Sequence, residues 1–220
     1  MTIYNPYNTC PEIRLSSEKI LARMTYKLAE TPWAEIKILD WLPEDDKLPI
    51  EFTFAETSFG RVLIANTSKG VCYMGPDIVG TMDVAQDFNK RFGYARCIER
   101  KSALQQQALE FMNRHADGSV ILHLKGTPYQ TEIWRKLLHI PFGNVLSYAT
   151  LGGDKCYARA AGNATGRNPI FWIIPCHRVV NTSGRFDRYF WGGDIKNNLL
   201  AWEFANTPDQ AETDHTDLSF

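Results

Sequence analysis

The sequence predicts a mixed α/β protein. A small N-terminal α/β domain with an antiparallel three-stranded sheet precedes a mainly helical domain that contains a helix-turn-helix. Three segments, at residues 51–57, 61–67 and 71–75, alternate apolar and polar side chains and are separated by SFG and SKG turns, which is typical of an antiparallel meander. Helical patterns follow at residues 84–92 and 103–115, and a second helical region comes later in the chain.

Composition limits the class of protein. With 220 residues, 44% apolar and 22% charged, the chain has the make-up of a globular protein with one or two modest cores. No stretch approaches the roughly eighteen apolar residues of a membrane span, and residues 1–11 lack the apolar run of a secretory signal. We therefore expect an intracellular protein, in the cytoplasm or the nucleus.

The cysteines are scattered along the chain: Cys10, Cys72, Cys97, Cys156 and Cys176. Their number is odd and they form no CxxC pair, which favours reduced thiols over a disulfide framework or a zinc site. We expect neither a metal nor a cofactor.

The chain divides into four predicted parts: an N-terminal extension of unassigned role (residues 1–49), the α/β domain (50–124), the helical domain (125–205) and a tail (206–220). Within the extension, residues 16–30 have the pattern of one amphipathic helix capped by Ser16 or Ser17. The tail has four acidic residues, no lysine or arginine and little to bury, which predicts disorder.

The helical domain begins with Thr127 and Pro128, a good helix start because proline fits the first helical position. Two short helices follow, punctuated by Gly143 and by the GGD at residues 152–154, and this arrangement favours a helix-turn-helix. The second of them, at residues 156–166, is rich in alanine and glycine. Composition leaves two interpretations open: close packing against another helix, or a recognition helix.

The charge is unevenly distributed. The whole chain carries −1, but residues 125–204 hold ten lysines and arginines against five acidic residues, a net +5 that leaves −6 for the remainder. A local excess of this sign suits phosphate contacts, and it also arises often on ordinary solvated surfaces.

The most informative stretch is IPCHRVV at residues 174–180, which places Cys176 between a proline and a histidine. The apolar residues 169–174 before it predict a buried strand, at the end of which the cysteine lies. A thiolate is a strong nucleophile, but a free thiol needs a positive or hydrogen-bonding environment to ionise at neutral pH. His177 and Arg178 are candidates to supply that environment.

At these residues the chain resembles the O6-alkylguanine-DNA alkyltransferases, also called methylated-DNA–protein-cysteine methyltransferases. The resemblance rests on PCHRV together with four other blocks in the family's order: GTPYQTEIW (126–134), IPFGNVLSY (140–148), ARAAGNATGRNP (158–169), and YFWG followed by KNNLLAWE (189–203). Five ordered blocks make coincidence a poor explanation, whereas a lone PCHR would be a weak match.

The resemblance implies DNA repair by direct transfer of an alkyl group, methyl above all, from O6-alkylguanine to Cys176, with O4-alkylthymine left open as a further substrate. The implied partner is double-stranded DNA that contains alkylated guanine, and the implied protein is a monomer. Nothing in the family's site hydrolyses a thioether, so each molecule is expected to act once, as a single-turnover methyltransferase.

The same resemblance implies the catalytic roles. Side chains of adjacent residues rarely face each other, so we do not expect His177 to touch the Cys176 thiol directly. In the family the histidine acts through a water and is oriented by a glutamate, here Glu203. The resemblance assigns to Tyr148 a hydrogen bond to the leaving guanine, which must not depart as a bare anion.

The remaining implied residues contact DNA or substrate. A guanine stacked in a duplex must be flipped out to reach a pocket, and Arg159 resembles the family's arginine that fills the vacated space. The family's recognition helix, here the small-residue helix, enters the minor groove. Asn168 matches an asparagine that fixes the turn after it. The substrate-binding set also contains aromatic residues: Tyr148, Phe171, Phe190 and Trp191.

Two departures from the family pattern bear on specificity. The chain is about three residues shorter than typical members between Tyr148 and Arg159. In the loop after the cysteine, Asp187 and Arg188 stand where glycines are usual. Two other classes remain open: a non-repairing DNA-damage-binding or regulatory module of the same fold, and a cysteine hydrolase, whose histidine is normally remote in sequence.

Overall fold

Two sheets and the helices around them organise the protein. The computed structural model describes residues 14–78, 83–113, 118–186 and 189–207. In chain order the elements are α1 (Ser17–Leu21), β1 (Met24–Thr25), β2 (Glu35–Asp40), β3 (Ile50–Thr57), β4 (Gly60–Thr67), β5 (Gly70–Pro76), α2 (Val84–Phe92), β6 (Cys97–Glu99), α3 (Ala103–Asn113), β7 (Ser119–Leu124), α4 (Pro128–Leu137), β8 (Val145–Ser147), α5 (Tyr148–Gly152), α6 (Ala158–Gly166), β9 (Val179–Val180) and α7 (Gly193–Ala205).

The larger sheet has the strand order β2-β7-β5-β4-β3-β6. The predicted antiparallel meander, β3, β4 and β5, forms its centre, with Phe54 opposite Leu63 in the register. The sheet is wider than the three strands predicted, because β2 pairs parallel with β7 and β6 pairs parallel with β3. The strands β2, β6 and β7 are either very short or pair with residues distant in sequence. Their sequences therefore lack the neighbouring-strand pattern that predicts a hairpin. The mixed α/β class is confirmed.

The smaller sheet positions the cysteine. Its three strands are parallel in the order β1-β8-β9. Leu146 pairs with Val179 and Ser147 with Val180. Because Tyr148 directly follows β8 and Cys176 stands just before β9, this pairing brings together residues that are far apart in sequence.

The prediction of one helix over residues 16–30 is wrong. The helix α1 has only five residues, capped by the Ser16 hydroxyl, which accepts a hydrogen bond from the Lys19 amide at 3.3 Å. The chain then becomes extended, and Met24 pairs with Val145 at the edge of the smaller sheet. Tertiary strand pairing therefore overrides the local helical pattern.

The prediction of a strand over residues 169–174 is also wrong, although these residues are buried. Only Ile170 makes an isolated bridge, to Met74, and the rest of the segment turns. The Asn168 side chain fixes this turn by donating to the carbonyls of Ile170 and Ile174 and accepting from the Ile170 amide. Trp172 has a φ of 63°, a left-handed conformation incompatible with a continuous strand.

The helices agree more closely with the sequence patterns. The helices α2 and α3 lie where predicted, and the last residues of the predicted 103–115 helix fall outside the described part of the chain. The helix α4 begins with Thr127 as its cap and Pro128 at its first position. The two short helices α5 and α6 pack together across a turn in which Gly153 has a φ of 88°. No helix among the described residues is long and apolar enough to cross a membrane.

Candidate active site

Cys176 begins a single 3-10 turn, Cys176–Arg178, that leads into β9. The residue is only 4% exposed, and its Sγ lies 3.2 Å from the Tyr189 hydroxyl. The other described cysteines, Cys72, Cys97 and Cys156, are also free thiols, while Cys10 lies outside the described residues.

The electrostatic setting of the Cys176 thiol is mixed. Burial raises its pKa above the usual value, because a thiolate is poorly solvated in the interior. The Tyr189 hydroxyl, the Asn168 side chain and the charge of Lys196 all act in the opposite direction. The resting cysteine is therefore a thiol whose ionised form has stabilising groups in place, and it needs a base to remove the proton.

A buried trio of charged or ionisable side chains lies directly behind the cysteine. The Nε2 of His177 is 2.8 Å from Glu203 Oε1, and Arg178 reaches both oxygens of the same carboxylate with bonds of 2.9 to 3.0 Å. The three side chains are at most 1% exposed. Burial alone raises the pKa of Glu203, but Arg178 and His177 lower it to about 2, so Glu203 is a carboxylate at neutral pH.

The protonation of His177 follows from this contact. A carboxylate only accepts hydrogen bonds, so the Nε2 facing Glu203 carries the proton of the neutral ring and Nδ1 keeps a lone pair. Burial lowers the pKa of His177 although Glu203 opposes the shift, which favours the neutral ring. Among the described residues Nδ1 has no hydrogen-bond partner, although it is fully buried. The histidine is thus prepared to accept a proton at Nδ1.

A cavity of about 270 Å³ opens onto the thiol. Its wall is formed by residues from α5, α6, the cysteine turn and the loop before α7: Tyr148, Gly162, Thr165, Gly166, Asn168, Cys176, Tyr189, Phe190 and Trp191. The volume is slightly below the roughly 300–1,000 Å³ of typical ligand pockets, a size suited to a single nucleobase with a small substituent.

Trp191 accounts for much of this narrowness. Its indole is 1% exposed and packs edge-on against Phe190 at 4.7 Å. The ring fits because Gly75 in β5 has no side chain: a Cβ there would lie 2.8 Å from the indole. Tyr148 also lines the cavity, and burial raises its pKa to about 12, so its hydroxyl stays protonated.

Two predicted site residues lie outside this cavity. Phe171 is fully buried, with its ring centre 6.5 Å from that of Trp191, and it is not among the residues of the cavity wall; its contact with substrate stays a prediction. The turn at residues 170–174 directs it into the core. Arg159 is exposed on the first turn of α6, away from the thiol. Asp187 and Arg188 lie outside the described residues.

The structure adds residues that the sequence did not single out. Lys196 is fully buried; its Nζ donates to the Val179 carbonyl and lies 5.5 Å from the Tyr189 ring and 5.9 Å from the Tyr148 ring. Burial lowers its pKa to about 8, and the nearby thiol opposes that shift. Tyr189 and Lys196 both lie in sequence blocks that carry the family resemblance, YFWG and KNNLLAWE. A lysine inside such a block could have pointed to the site.

No cluster of three or more histidine, cysteine or acidic side chains suited to a metal ion occurs in the described ranges. The arrangement therefore offers one nucleophile, one base and a protonated phenol around a small cavity.

Comparison with known proteins identifies the family. Residues 128–205 match the model of the family described as "6-O-methylguanine DNA methyltransferase, DNA binding domain". The chain is 32% identical over 164 residues to the methylated-DNA–protein-cysteine methyltransferase of Methanosarcina barkeri, covering 70% of this chain and 98% of that protein. The chain belongs to the methylated-DNA–protein-cysteine methyltransferase family.

Two further proteins are similar over comparable lengths. The regulatory protein Ada of Salmonella typhimurium is 30% identical over 167 residues, or 72% of this chain, but the chain spans only 46% of that protein's length. The crystal structure of Mycobacterium tuberculosis OGT in complex with DNA superposes with a TM-score of 0.54 at 26% identity, covering 73% of this chain and 96% of the other.

Proposed function

We propose that the protein repairs DNA by transferring the alkyl group of an O6-alkylguanine, methyl in particular, to Cys176 in a single turnover. The observation that carries this proposal is the Cys176 thiol in the wall of a base-sized cavity, next in sequence to a histidine that is paired with a buried glutamate. The names of the relatives support it, as does the DNA complex of the Mycobacterium tuberculosis protein.

The first step is removal of the thiol proton. His177 and Cys176 are neighbours in sequence, and the thiol's described hydrogen bond is to Tyr189, not to the imidazole. A water between Sγ and His177 Nδ1 carries the proton to the ring, which becomes an imidazolium held by the Glu203 carboxylate. Lys196 stabilises the thiolate that results.

The second step is displacement at a saturated carbon. The Sγ–methyl bond forms as the bond between the methyl carbon and O6 breaks, and the electron pair of that bond passes into the guanine ring. The Tyr148 hydroxyl, protonated because its pKa is raised to about 12, donates to the leaving base. The product is a neutral thioether, whose carbon–sulfur bonds are inert to water at neutral pH, so each molecule acts once.

DNA binding precedes these steps. The cavity admits a base only after the nucleotide leaves the duplex, because O6 is stacked and paired inside it. The exposed Arg159 on α6 is placed to enter the space that the base vacates, and Gly162 and Gly166 of the same helix form the cavity wall. Residues 125–205, with their excess of positive charge, act as the DNA-binding and alkyl-accepting domain.

The cysteine hydrolase alternative is disfavoured by geometry. In a hydrolase the imidazole contacts the thiol and a third residue orients the imidazole. Here His177 directs its protonated nitrogen to Glu203, and a tyrosine hydroxyl, not an imidazole, contacts Sγ.

The test uses duplex DNA that contains one O6-methylguanine. After incubation and digestion to nucleosides, we expect the lesion to disappear and guanine to be restored in an amount equal to the protein added. Cys176→Ala should bind the duplex and leave the lesion intact. Persistence of the lesion with the unmodified protein, or its loss with Cys176→Ala, would contradict the proposal.

A further inference from the structure

The N-terminal extension, which the sequence left without a role, belongs to both parts of the protein. Its strand β1 joins the smaller sheet beside β8, and its strand β2 joins the larger sheet beside β7. Between them the Ala29 amide donates to the His139 carbonyl and the Trp33 amide to the Leu138 carbonyl, both at 2.8 Å. These bonds fix the segment against the end of α4.

Trp33, held in this way, lies over the arginine next to the catalytic histidine. The guanidinium carbon of Arg178 is 4.4 Å from the Trp33 ring centre and 5.4 Å from the Phe142 ring centre. A guanidinium this close to aromatic faces is attracted by the ring quadrupole, and more strongly where water is excluded. Trp33 also packs edge-on against Trp172, at 5.5 Å, in the turn that leads to the cysteine.

Arg178 in turn fixes the plane of the Glu203 carboxylate. Its Nε and one terminal nitrogen donate to Glu203, and the other terminal nitrogen donates to the Ile140 carbonyl at 2.8 Å. Because the planar guanidinium group is bonded to both carboxylate oxygens, the carboxylate is held in one orientation. That orientation places Oε1 at 2.8 Å from His177 Nε2.

We propose that Trp33 is a positioning residue for alkyl transfer: from the N-terminal extension it holds Arg178, which fixes Glu203 and thereby the basicity of His177. The effect on alkyl transfer rests on the function proposed above. The contacts from Trp33 through Arg178 and Glu203 to His177 do not depend on that function. Trp33 lies outside the segment that matches the family model, so the extension supplies a part of the site that the matched domain does not contain.

The predicted consequence is a change in the ionisation of Cys176. Without the indole, Arg178 is held less firmly, the Glu203 carboxylate loses its fixed orientation towards His177 Nε2, and the imidazole becomes a weaker base. The thiol then stays protonated to higher pH. The other groups that face the cysteine or the histidine keep their positions: Tyr148, Tyr189, Asn168 and Lys196.

The experiment measures the alkylation rate of Cys176 by iodoacetamide against pH in the full-length protein, by peptide mass mapping. We expect Trp33→Leu to move the midpoint of this profile upward by about one pH unit. Trp33→Phe, which keeps an aromatic ring over the guanidinium, should give a smaller shift. Because it is the milder change, it also keeps the test decisive if the leucine variant does not fold.

Trp41→Leu is the matched control. Trp41 lies in the same extension, but its ring contacts Phe92, His123 and Lys125 instead of Arg178, so its loss should lower the melting temperature without moving the profile. An unmoved midpoint in both Trp33 variants, with a loss of melting temperature like that of Trp41→Leu, would overturn the proposal. Since iodoacetamide needs no DNA, this result is independent of whether the protein accepts a methyl group from DNA.

Discussion

Within the described part of the chain there are two buried carboxylate–histidine pairs, and they are closely alike. Glu203 lies 2.8 Å from His177 near the cysteine, and Asp45 lies 3.0 Å from His123 beside the larger sheet. Both imidazoles are fully buried. In each pair burial raises the pKa of the carboxyl group, but hydrogen-bonded and charged partners lower it to about 2.

The pairs differ at the second ring nitrogen. His123 Nδ1 is 2.7 Å from the Thr67 hydroxyl, so both of its nitrogens are satisfied. His177 Nδ1 has no hydrogen-bond partner among the described residues, and the preceding residue in the chain is Cys176. Buried polar atoms are normally hydrogen-bonded, so an unpaired one marks a place where another molecule, here a water, completes the bonding. We therefore expect the carboxylate–histidine pair to be structural at His123 and reactive at His177.

The largest expected effect is a difference in methyl-transfer rate between variants of Glu203 and of Asp45. Glu203→Gln should slow methyl transfer by about a hundredfold or more, because an amide does not stabilise the imidazolium. Asp45→Asn should leave the transfer rate near that of the unmodified protein. Single-turnover rates on O6-methylguanine duplex would measure both.

Thermal melting serves as the control for these variants. Both substitutions remove a buried negative charge from its cationic partner, so both should lower the melting temperature. Equal slowing of transfer by Asp45→Asn and Glu203→Gln would show that activity follows general stability, and the distinction between the two pairs would fail.

The next effect concerns acid stability. A carboxyl whose pKa is lowered on folding stabilises the protein above its unfolded pKa, and this contribution disappears as pH falls towards the folded pKa. For Glu203 that window runs from about pH 5 down to about pH 2. Glu203→Gln should therefore flatten the loss of unfolding free energy in this range, measured by denaturant titration. If the unfolding free energy of Glu203→Gln fell with pH in this range as steeply as that of the unmodified protein, the carboxylate would not be ionised in the folded protein.

The smallest effect tests the surroundings of the reactive pair. Trp191 and Phe190 narrow the cavity, so methyl should be transferred much faster than benzyl. Trp191→Gly should reduce the ratio of the methyl rate to the benzyl rate by roughly tenfold, since hydrophobic pockets discriminate between substrates of different size by such factors. The rates of the two groups on free O6-alkylguanine bases are the comparison to make. Equal rates in the unmodified protein would show that these rings do not limit access.

Much of the site was predictable from the sequence, because the residues that react lie in compact blocks. Glu203 lies 2.8 Å from His177, the residue after Cys176, while the catalytic roles that the resemblance implied stay predictions. The contact of Tyr189 with the thiol was not predictable, since it depends on where a loop places one hydroxyl. The proposed role of Trp33 was also hidden, because Trp33 precedes Arg178 by 145 residues, about two thirds of the chain.

The errors in the fold have a common physical cause. Residues 16–30 have a helical period and residues 169–174 a continuous apolar run, yet both segments were mispredicted. In the first, pairing of Met24 with Val145 replaces helical hydrogen bonds; in the second, the Asn168 side chain holds a turn. Local patterns indicate burial well, but long-range hydrogen bonds decide the backbone conformation.

The most direct test of the central claim locates the transferred group. After reaction with duplex DNA that contains O6-methylguanine, peptide mass mapping should find one added methyl group per chain, on Cys176, and none on Cys72, Cys97 or Cys156. Among the described cysteines, Cys176 alone lines this cavity and neighbours an imidazole whose Nδ1 has no hydrogen-bond partner in the described residues. A methyl group on another cysteine, or repair of several lesions per molecule, would contradict the account.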